Sequence, residues 1–352
     1  MPPLASRRWP AEWEPHSATW LGWPHHHPDW PGKFEPIRWV YAEIVRALHR
    51  YERVEILCHS EDVRNEATAA LRSHGVRLDR CRLHLVPSDR VWLRDSGPTF
   101  VWRDDGSVEA ICWRFNAWAK YDNHLADALI APAVARLAGI PAAEAGRPDN
   151  GGRLVLEGGA IETNGDGVLL TTEECLLSSI QERNPGLDRA GYERAFREYL
   201  GIHTTIWLGE GCVGDDTHGH VDDIARFVAR NTVVLAFEAD PADENHERSV
   251  DNRKRLEHAA RQVEGGLQII DLPFPRAVVM DGERLPASYA NFYIANGVVV
   301  VPTFNDPNDR IALNILAECF PDRAVVGIHA VDLVWGLGTL HCLSQQQPAS
   351  RV

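Results

Sequence analysis

No stretch of this chain is apolar for long enough to cross a membrane. The opening residues, Met1 to Pro10, lack the apolar core of a secretory leader, so a cytoplasmic protein is expected. The seven cysteines are scattered, odd in number and without a close-spaced pair. That excludes a disulfide framework and a Cys-x-x-Cys metal knuckle, and leaves reduced thiols. Net charge is −14, whereas phosphate contacts need clustered Lys and Arg, so neither nucleic acid nor membrane is an expected partner. No Ser/Gly/Pro-rich linker divides the chain, and residues 1–352 are expected to form one domain. What is present is ordinary globular composition, 44% hydrophobic and 24% charged, enough for a large core. The acidic balance suits a cationic ligand.

One pattern recurs along the chain: two strands joined by a tight turn, an amphipathic helix, and often a further strand. Turn residues between apolar runs mark the hairpins. Asp104-Asp105-Gly106-Ser107 separates 98–103 from 108–115, and Asn164-Gly165-Asp166-Gly167 separates 154–162 from 168–172. Arg230-Asn231 and Asn296-Gly297 mark two more, at 221–237 and 290–303. Helical periodicity follows each, near 123–137, 188–200, 245–263 and 309–320. Strand-like runs follow at 204–208, 267–272 and 324–328. The repeat length is about 60 residues. A fifth hairpin is split between the chain ends, with 339–344 as one strand and 18–23 as the other, followed by a helix at 35–49 and a strand at 54–57. The predicted fold is an α/β propeller of five ββαβ units with fivefold pseudosymmetry, its ring closed by the two termini.

The polar clusters fall at equivalent places in these units. Asp95 begins the first hairpin, Glu157 lies in the second, His220 and Asp222 in the third, Tyr289 and Asn291 in the fourth, and Cys342 in the fifth. Pseudosymmetry would bring them to the central axis, around one small cavity. Carboxylates, an imidazole and a thiol together suit attack on a cationic carbon. Each motif also has a plainer explanation. Asp95 follows Arg94 and suits a local ion pair or a turn cap. Glu157-Gly158-Gly159 suits a strand end, although the glycines would admit a ligand close to the backbone. On a strand, His218, His220 and Asp222 share a face and suit zinc as well as acid–base work. A strand through Cys342 points His341 to the opposite face, which leaves His220 as the base. Cys58 and Cys175 suit buried thiols, Asn252 a solvated helix face, and the His25-His26-His27 loop carries no assigned role.

Taken in order, the motifs resemble the agmatine deiminase family, which includes bacterial-type peptidylarginine deiminases of the pentein fold. The resemblance runs from Trp9-Pro10-Ala11-Glu12-Trp13 through Trp92-Leu93-Arg94-Asp95-Ser96-Gly97-Pro98, Arg114-Phe115-Asn116-Ala117-Trp118 and Glu157-Gly158-Gly159. It continues through Gly219-His220-Val221-Asp222 and Ser288-Tyr289-Ala290-Asn291 to His341-Cys342. Three positions depart from the family pattern. Leu337 interrupts a run of glycines, Ala119-Lys120 stands where two glycines are common, and His218 replaces Asn or Asp.

The resemblance implies hydrolysis of agmatine to N-carbamoylputrescine and ammonia, without metal or organic cofactor. Asp95 and Asp222 would clamp the guanidinium fork. Glu157 would hold the substrate and move protons beside His220, and Gly158 would line the site. Cys342 would attack the central carbon and carry a thiouronium intermediate that water, activated by His220, then releases. Trp92 or Trp118 would pack on the butylamine tail. A peptidylarginine or free-arginine deiminase would share every catalytic group. A zinc amidohydrolase using His218, His220 and Asp222, or a binding module without chemistry, are the alternatives from other classes. A homo-oligomer is compatible with the sequence.

Overall fold

The hairpin-and-helix rhythm recurs five times among the residues, 7–352, that the computed structural model describes; the Met1–Ser6 part of the leader expectation lies outside them. In the first unit Thr99–Arg103 and Val108–Cys112 pair antiparallel, and Ala142–Glu144 returns parallel to the second strand after the helix Ile130–Ala138. The second unit pairs Glu162–Thr163 with Val168–Thr172, and Thr204–Leu208 returns parallel. Ala225–Ala229, Thr232–Phe237 and Gln268–Pro273 repeat the plan, as do Tyr293–Ile294, Val298–Thr303 and Ala324–His329. The last unit joins the two ends of the chain. Ser344–Pro348 pairs antiparallel with His16–Gly22, which runs parallel to Arg53–Cys58, and Cys81–Leu85 adds one more parallel strand. Within the continuous units, antiparallel pairing in the hairpin and parallel return after the helix follow from connection length, since a tight turn can join only antiparallel neighbours and a parallel return needs a long crossover.

Local chemistry sets the element ends. In Phe34–Leu48 the buried residues Phe34, Ile37, Tyr41, Ile44, Val45 and Leu48 form a single stripe. Ser60 caps Glu61–Ser73 by accepting from the Val63 N–H, and Asp188 caps Arg189–Leu200 by accepting from Gly191. Gly201, at φ 72°, stops the latter helix in a left-handed cap. No helix among the described residues is long and apolar enough to cross a membrane.

Three expectations change. The first strands of the second and fourth hairpins shorten to two residues, Glu162–Thr163 and Tyr293–Ile294. The chain before Glu162 turns instead as a short helical segment, Gly158–Ala160. The predicted strand 339–344 is also a helical turn, Leu340–Leu343, and the strand begins at Ser344. The turn persists because Asn291 Oδ1 accepts the backbone N–H groups of His341 and Cys342, at 3.0 and 3.4 Å, in place of a strand neighbour. Asn252 is buried rather than solvated, accepting from Gly209 N and donating to Glu210 O.

Candidate active site

The expected site residues lie on short helical turns that precede the first strand of a hairpin, not on the strands. Asp95 is in Leu93–Ser96, Glu157 starts Gly158–Ala160, Asp222 is in Val221–Asp223 and Cys342 is in Leu340–Leu343. A turn of this kind aims side chains past the sheet end, where strand alternation would send half of them elsewhere. The structure brings Asp95, Glu157, His220, Asp222 and Cys342 together, and all are buried. His220 lies between carboxylates, with Nδ1 3.8 Å from Asp95 Oδ1 and Nε2 3.8 Å from Glu157 Oε2. Cys342 Sγ is 3.8 Å from Asp222 Oδ2 and 3.1 Å from Asn291 Nδ2. A cavity of about 560 Å³ opens onto Asp95, Cys342, Trp92, Trp118 and Leu337.

The charges in this site are set by their neighbours. Burial opposes ionisation of Glu157, but the Arg183 guanidinium, 3.1 Å away, and His220 outweigh it and hold the carboxyl at about 2. Burial pushes Asp95 up to about 6, and the charges of Asp222 and Glu157 add to the rise against the pull of His220. Burial works against a charged His220, yet Asp95, Cys175 and Glu157 raise it well above the usual imidazole range. Burial and the carboxylates of Asp222, Asp223 and Asp95 push the Cys342 thiol well above its ordinary value. These neighbours therefore favour a neutral thiol at Cys342 and an imidazolium at His220. Four buried polar atoms here have no hydrogen-bond partner: Glu157 Oε2, both ring nitrogens of His220, and Asp222 Oδ1. Orphans of this kind, gathered beside Asp95 and Cys342 at the cavity wall, mark a place where a polar ligand belongs.

The local Asp–Arg pair is not formed. Arg94 points away, to Gln346 Oε1, the His341 carbonyl and Glu12, while Asp95 accepts from the Trp118 indole at 2.8 Å and from Gly159 N at 3.0 Å. Gly158, expected at the substrate, fits under Arg94 instead, because a Cβ there would stand 2.3 Å from the Arg94 carbonyl oxygen. Gly159 is the glycine that keeps the site open: a Cβ would meet His220 Nδ1 at 2.5 Å and Asp95 Oδ1 at 2.9 Å. His218 leaves the trio drawn for zinc. Its segment is a turn with His218 at φ 65°, not a strand, and its ring bonds Ser178 Oγ at 3.1 Å. Two other groups have donor atoms close enough to share a cation, Glu157–Cys175–His220 and Asp222–Asp223–Cys342, each with its atoms within 4.8 Å of one another. The first has Arg183 against its carboxylate, a poor neighbour for a second cation.

Several further side chains around this cluster carry no local signal in the sequence. His341 is bonded through both ring nitrogens to carboxylates. Asn291, which the repeat pattern places at the axis, holds the Cys342 turn. Asp216 at the cavity mouth is engaged by Lys120 and by the Tyr121 hydroxyl. Cys175 is buried, as expected, but sits beside His220 rather than in plain core. Of the departures noted in the sequence, Leu337 lines this cavity, and Ala119 follows Trp118, which also lines it. Ala117, Trp118 and Ala119 take φ values of 49°, 58° and 54°, and Leu337 takes 68°, the left-handed region in which glycine is at ease.

The chain matches the model of the Porphyromonas-type peptidyl-arginine deiminase family over residues 8–348. It is 38% identical to the agmatine deiminase of Stutzerimonas stutzeri (strain A1501), covering 97% of this chain and 95% of that protein. Identity to the agmatine deiminase of Pseudomonas aeruginosa (strain LESB58) is 36%, over 98% and 96%. Among solved structures, the agmatine deiminase of Enterococcus faecalis superposes with a TM-score of 0.88 at 30% identity, covering 99% of this chain and 97% of that one. A C. jejuni agmatine deiminase with substrate bound gives 0.86 at 26%, covering 98% and 97%.

Proposed function

The chain belongs to the Porphyromonas-type peptidyl-arginine deiminase family, and on that premise we propose that it is an agmatine deiminase, converting agmatine and water to N-carbamoylputrescine and ammonia. The observation that carries this reading is the set of orphaned buried atoms on Glu157, His220 and Asp222 around the Cys342 thiol. A planar guanidinium offers the N–H fork that the orphaned oxygens of Glu157 and Asp222 lack. We further propose that residues 1–352 form one catalytic domain whose five units stand in a ring, closed where Ser344–Pro348 joins His16–Gly22. A ring explains why four turns far apart in sequence meet at one cavity. The seven unbridged cysteines suit a reducing compartment, the cytoplasm.

In the proposed reaction, Asp95 and Asp222 clamp the guanidinium. Its positive charge offsets the carboxylates that oppose ionisation of Cys342, so the thiol releases its proton to solvent as substrate binds and the thiolate forms. The thiolate attacks the central carbon to give a tetrahedral adduct. His220, held as imidazolium, delivers a proton to one nitrogen, the C–N bond breaks, and ammonia leaves. The thiouronium is planar and open to water. His220, now neutral, takes a proton from that water as its oxygen adds to the carbon. The C–S bond then breaks as the hydroxyl proton passes to the departing sulfur, which restores the Cys342 thiol and frees the ureido product.

Ammonia release from agmatine, arginine and a blocked arginyl peptide, each with and without chelator, tests this. Chelator-insensitive release from agmatine is the expected outcome. Release confined to arginine or the peptide would keep the cysteine chemistry and replace the substrate, while loss on chelation would favour metal chemistry. The pH profile supplies a further prediction. Asp95 must be ionised to bind the cation, so kcat/KM is expected to fall as pH drops through about 6. An acid limb near 4, the ordinary aspartate position, would contradict the burial argument. Trp118→Phe keeps a ring against the substrate but removes the N–H that orients Asp95, and is expected to raise KM by about tenfold. An unchanged KM would remove Trp118 from substrate positioning.

A further inference from the structure

The buried ion cluster on the far side of Asp222 from the cavity has no part in the proposed chemistry, yet it ends at a reacting group. His341 Nδ1 lies 2.7 Å from Asp222 Oδ2, and Nε2 lies 2.8 Å from Glu12 Oε2. Glu12 is fixed in turn: Oε1 accepts from Ile294 N at 2.7 Å and pairs with Arg226 at 3.0 Å, while Oε2 takes Arg94 at 3.3 Å. Arg226 also pairs with Glu162, and Arg94 donates to the His341 carbonyl. All these side chains are buried.

We infer that His341 is a positioning residue: with a proton on each ring nitrogen it pins Asp222 Oδ2, and so aims the free Oδ1 at the guanidinium. The inference rests on the proposed clamp role of Asp222 and adds what holds the clamp in place. Carboxylates only accept hydrogen bonds, so a ring wedged between two of them must donate from both nitrogens. With Oδ2 committed, Asp222 has a single lone oxygen, Oδ1, left for substrate. The neighbouring thiol of Cys342 is spared the full field of Asp222 by the same contact.

Two near-isosteric substitutions separate positioning from mere support. His341→Asn places an amide N–H where Nδ1 was and keeps the Asp222 contact. His341→Gln reaches the Nε2 position, keeps Glu12 and releases Asp222. His341→Gln is expected to lower kcat/KM by roughly 10- to 100-fold with a rise in KM, as loss of an outer-layer partner does elsewhere. His341→Asn is expected to retain more activity than His341→Gln, whichever variant melts lower. Equal impairment of both, or activity that simply follows thermal midpoint, would overturn the inference. Should neither variant fold, 15N-labelled histidine in the parent protein decides. The His341 ring, told apart from that of His220 by comparison with a His220→Asn protein, is expected to carry a hydrogen-bonded N–H at both Nδ1 and Nε2; a bare nitrogen on that ring sinks the idea. Failure of the parent protein to release ammonia from agmatine would strike the functional reading instead, with the labelled spectrum still judging His341.

Discussion

Cys342→Ala is expected to abolish ammonia release from agmatine, lowering kcat by at least about 10⁴-fold, because removal of a nucleophile leaves only binding and charge stabilisation. The protein should still fold. The sulfur makes few polar contacts, a 3.1 Å approach from Asn291 Nδ2 and a 3.8 Å one to Asp222, while Asn291 Oδ1 holds the turn by its backbone N–H groups. Loss of one buried sulfur costs about 1 kcal/mol of transfer energy. Opposing that loss, the alanine protein no longer places a titratable thiol among Asp222, Asp223 and Asp95. The thermal midpoint should therefore lie close to that of the parent, and agmatine should still raise it. Residual turnover within tenfold of the parent would end the covalent scheme. A protein that no longer responds to agmatine would mean that Cys342 belongs to the binding site rather than to the chemistry.

The hairpin units were legible because each carries its own signals. Asn164-Gly165-Asp166-Gly167 places glycines at φ 74° and 81°, which a tight turn favours, and the flanking apolar runs do pair. The helix Arg189–Leu200 and the strand Thr204–Leu208 fall at or within one residue of their predicted bounds because a capping aspartate and a β-branched run mark them locally. The turns that carry the catalytic groups were not legible as turns. A four-residue segment such as Leu340–Leu343 is shorter than either period, and its conformation is dictated by Asn291, some fifty residues upstream in sequence. That error propagated. A strand sends His341 away from Cys342, whereas the turn points it at Asp222, so the second histidine of the site was passed over. Glu12 stood within a quoted motif without a role, since its partner lies 329 positions away. The misplaced glycine has a similar origin. Gly158 and Gly159 are indistinguishable in sequence, and only the Arg94 carbonyl on one side and the His220 ring on the other tell them apart.

Glu157→Gln is expected to damage stability and catalysis together, which makes it the sharpest check on the electrostatics of the site. Neither Glu157 nor Arg183 has any side-chain exposure, and Arg183 Nε meets Glu157 Oε1 at 3.1 Å. Neutralising the carboxylate leaves a buried guanidinium with neutral acceptors alone, the new amide oxygen and the carbonyls of Gln181 and Thr217. Breaking a buried pair from one side costs about 3–5 kcal/mol. The same change removes one of the anions that keep His220 protonated, so the imidazole that must protonate departing ammonia loses part of its charge. A drop in kcat of about 10²- to 10⁴-fold is expected, the range for a lost proton-transfer group. The stability loss carries its own pH signature. Burial raises the Glu157 carboxyl, Arg183 and His220 outweigh it, and the folded value sits at about 2, below the unfolded one. Its contribution is therefore fully present above the unfolded value near 4.3 and fades as pH falls towards about 2. The denaturation midpoints of parent and Glu157→Gln proteins should thus lie far apart at neutral pH and converge in acid. A gap that stays constant with pH would mean that the substitution acts through packing, and that the Arg183 pair does not hold Glu157 in its charged form.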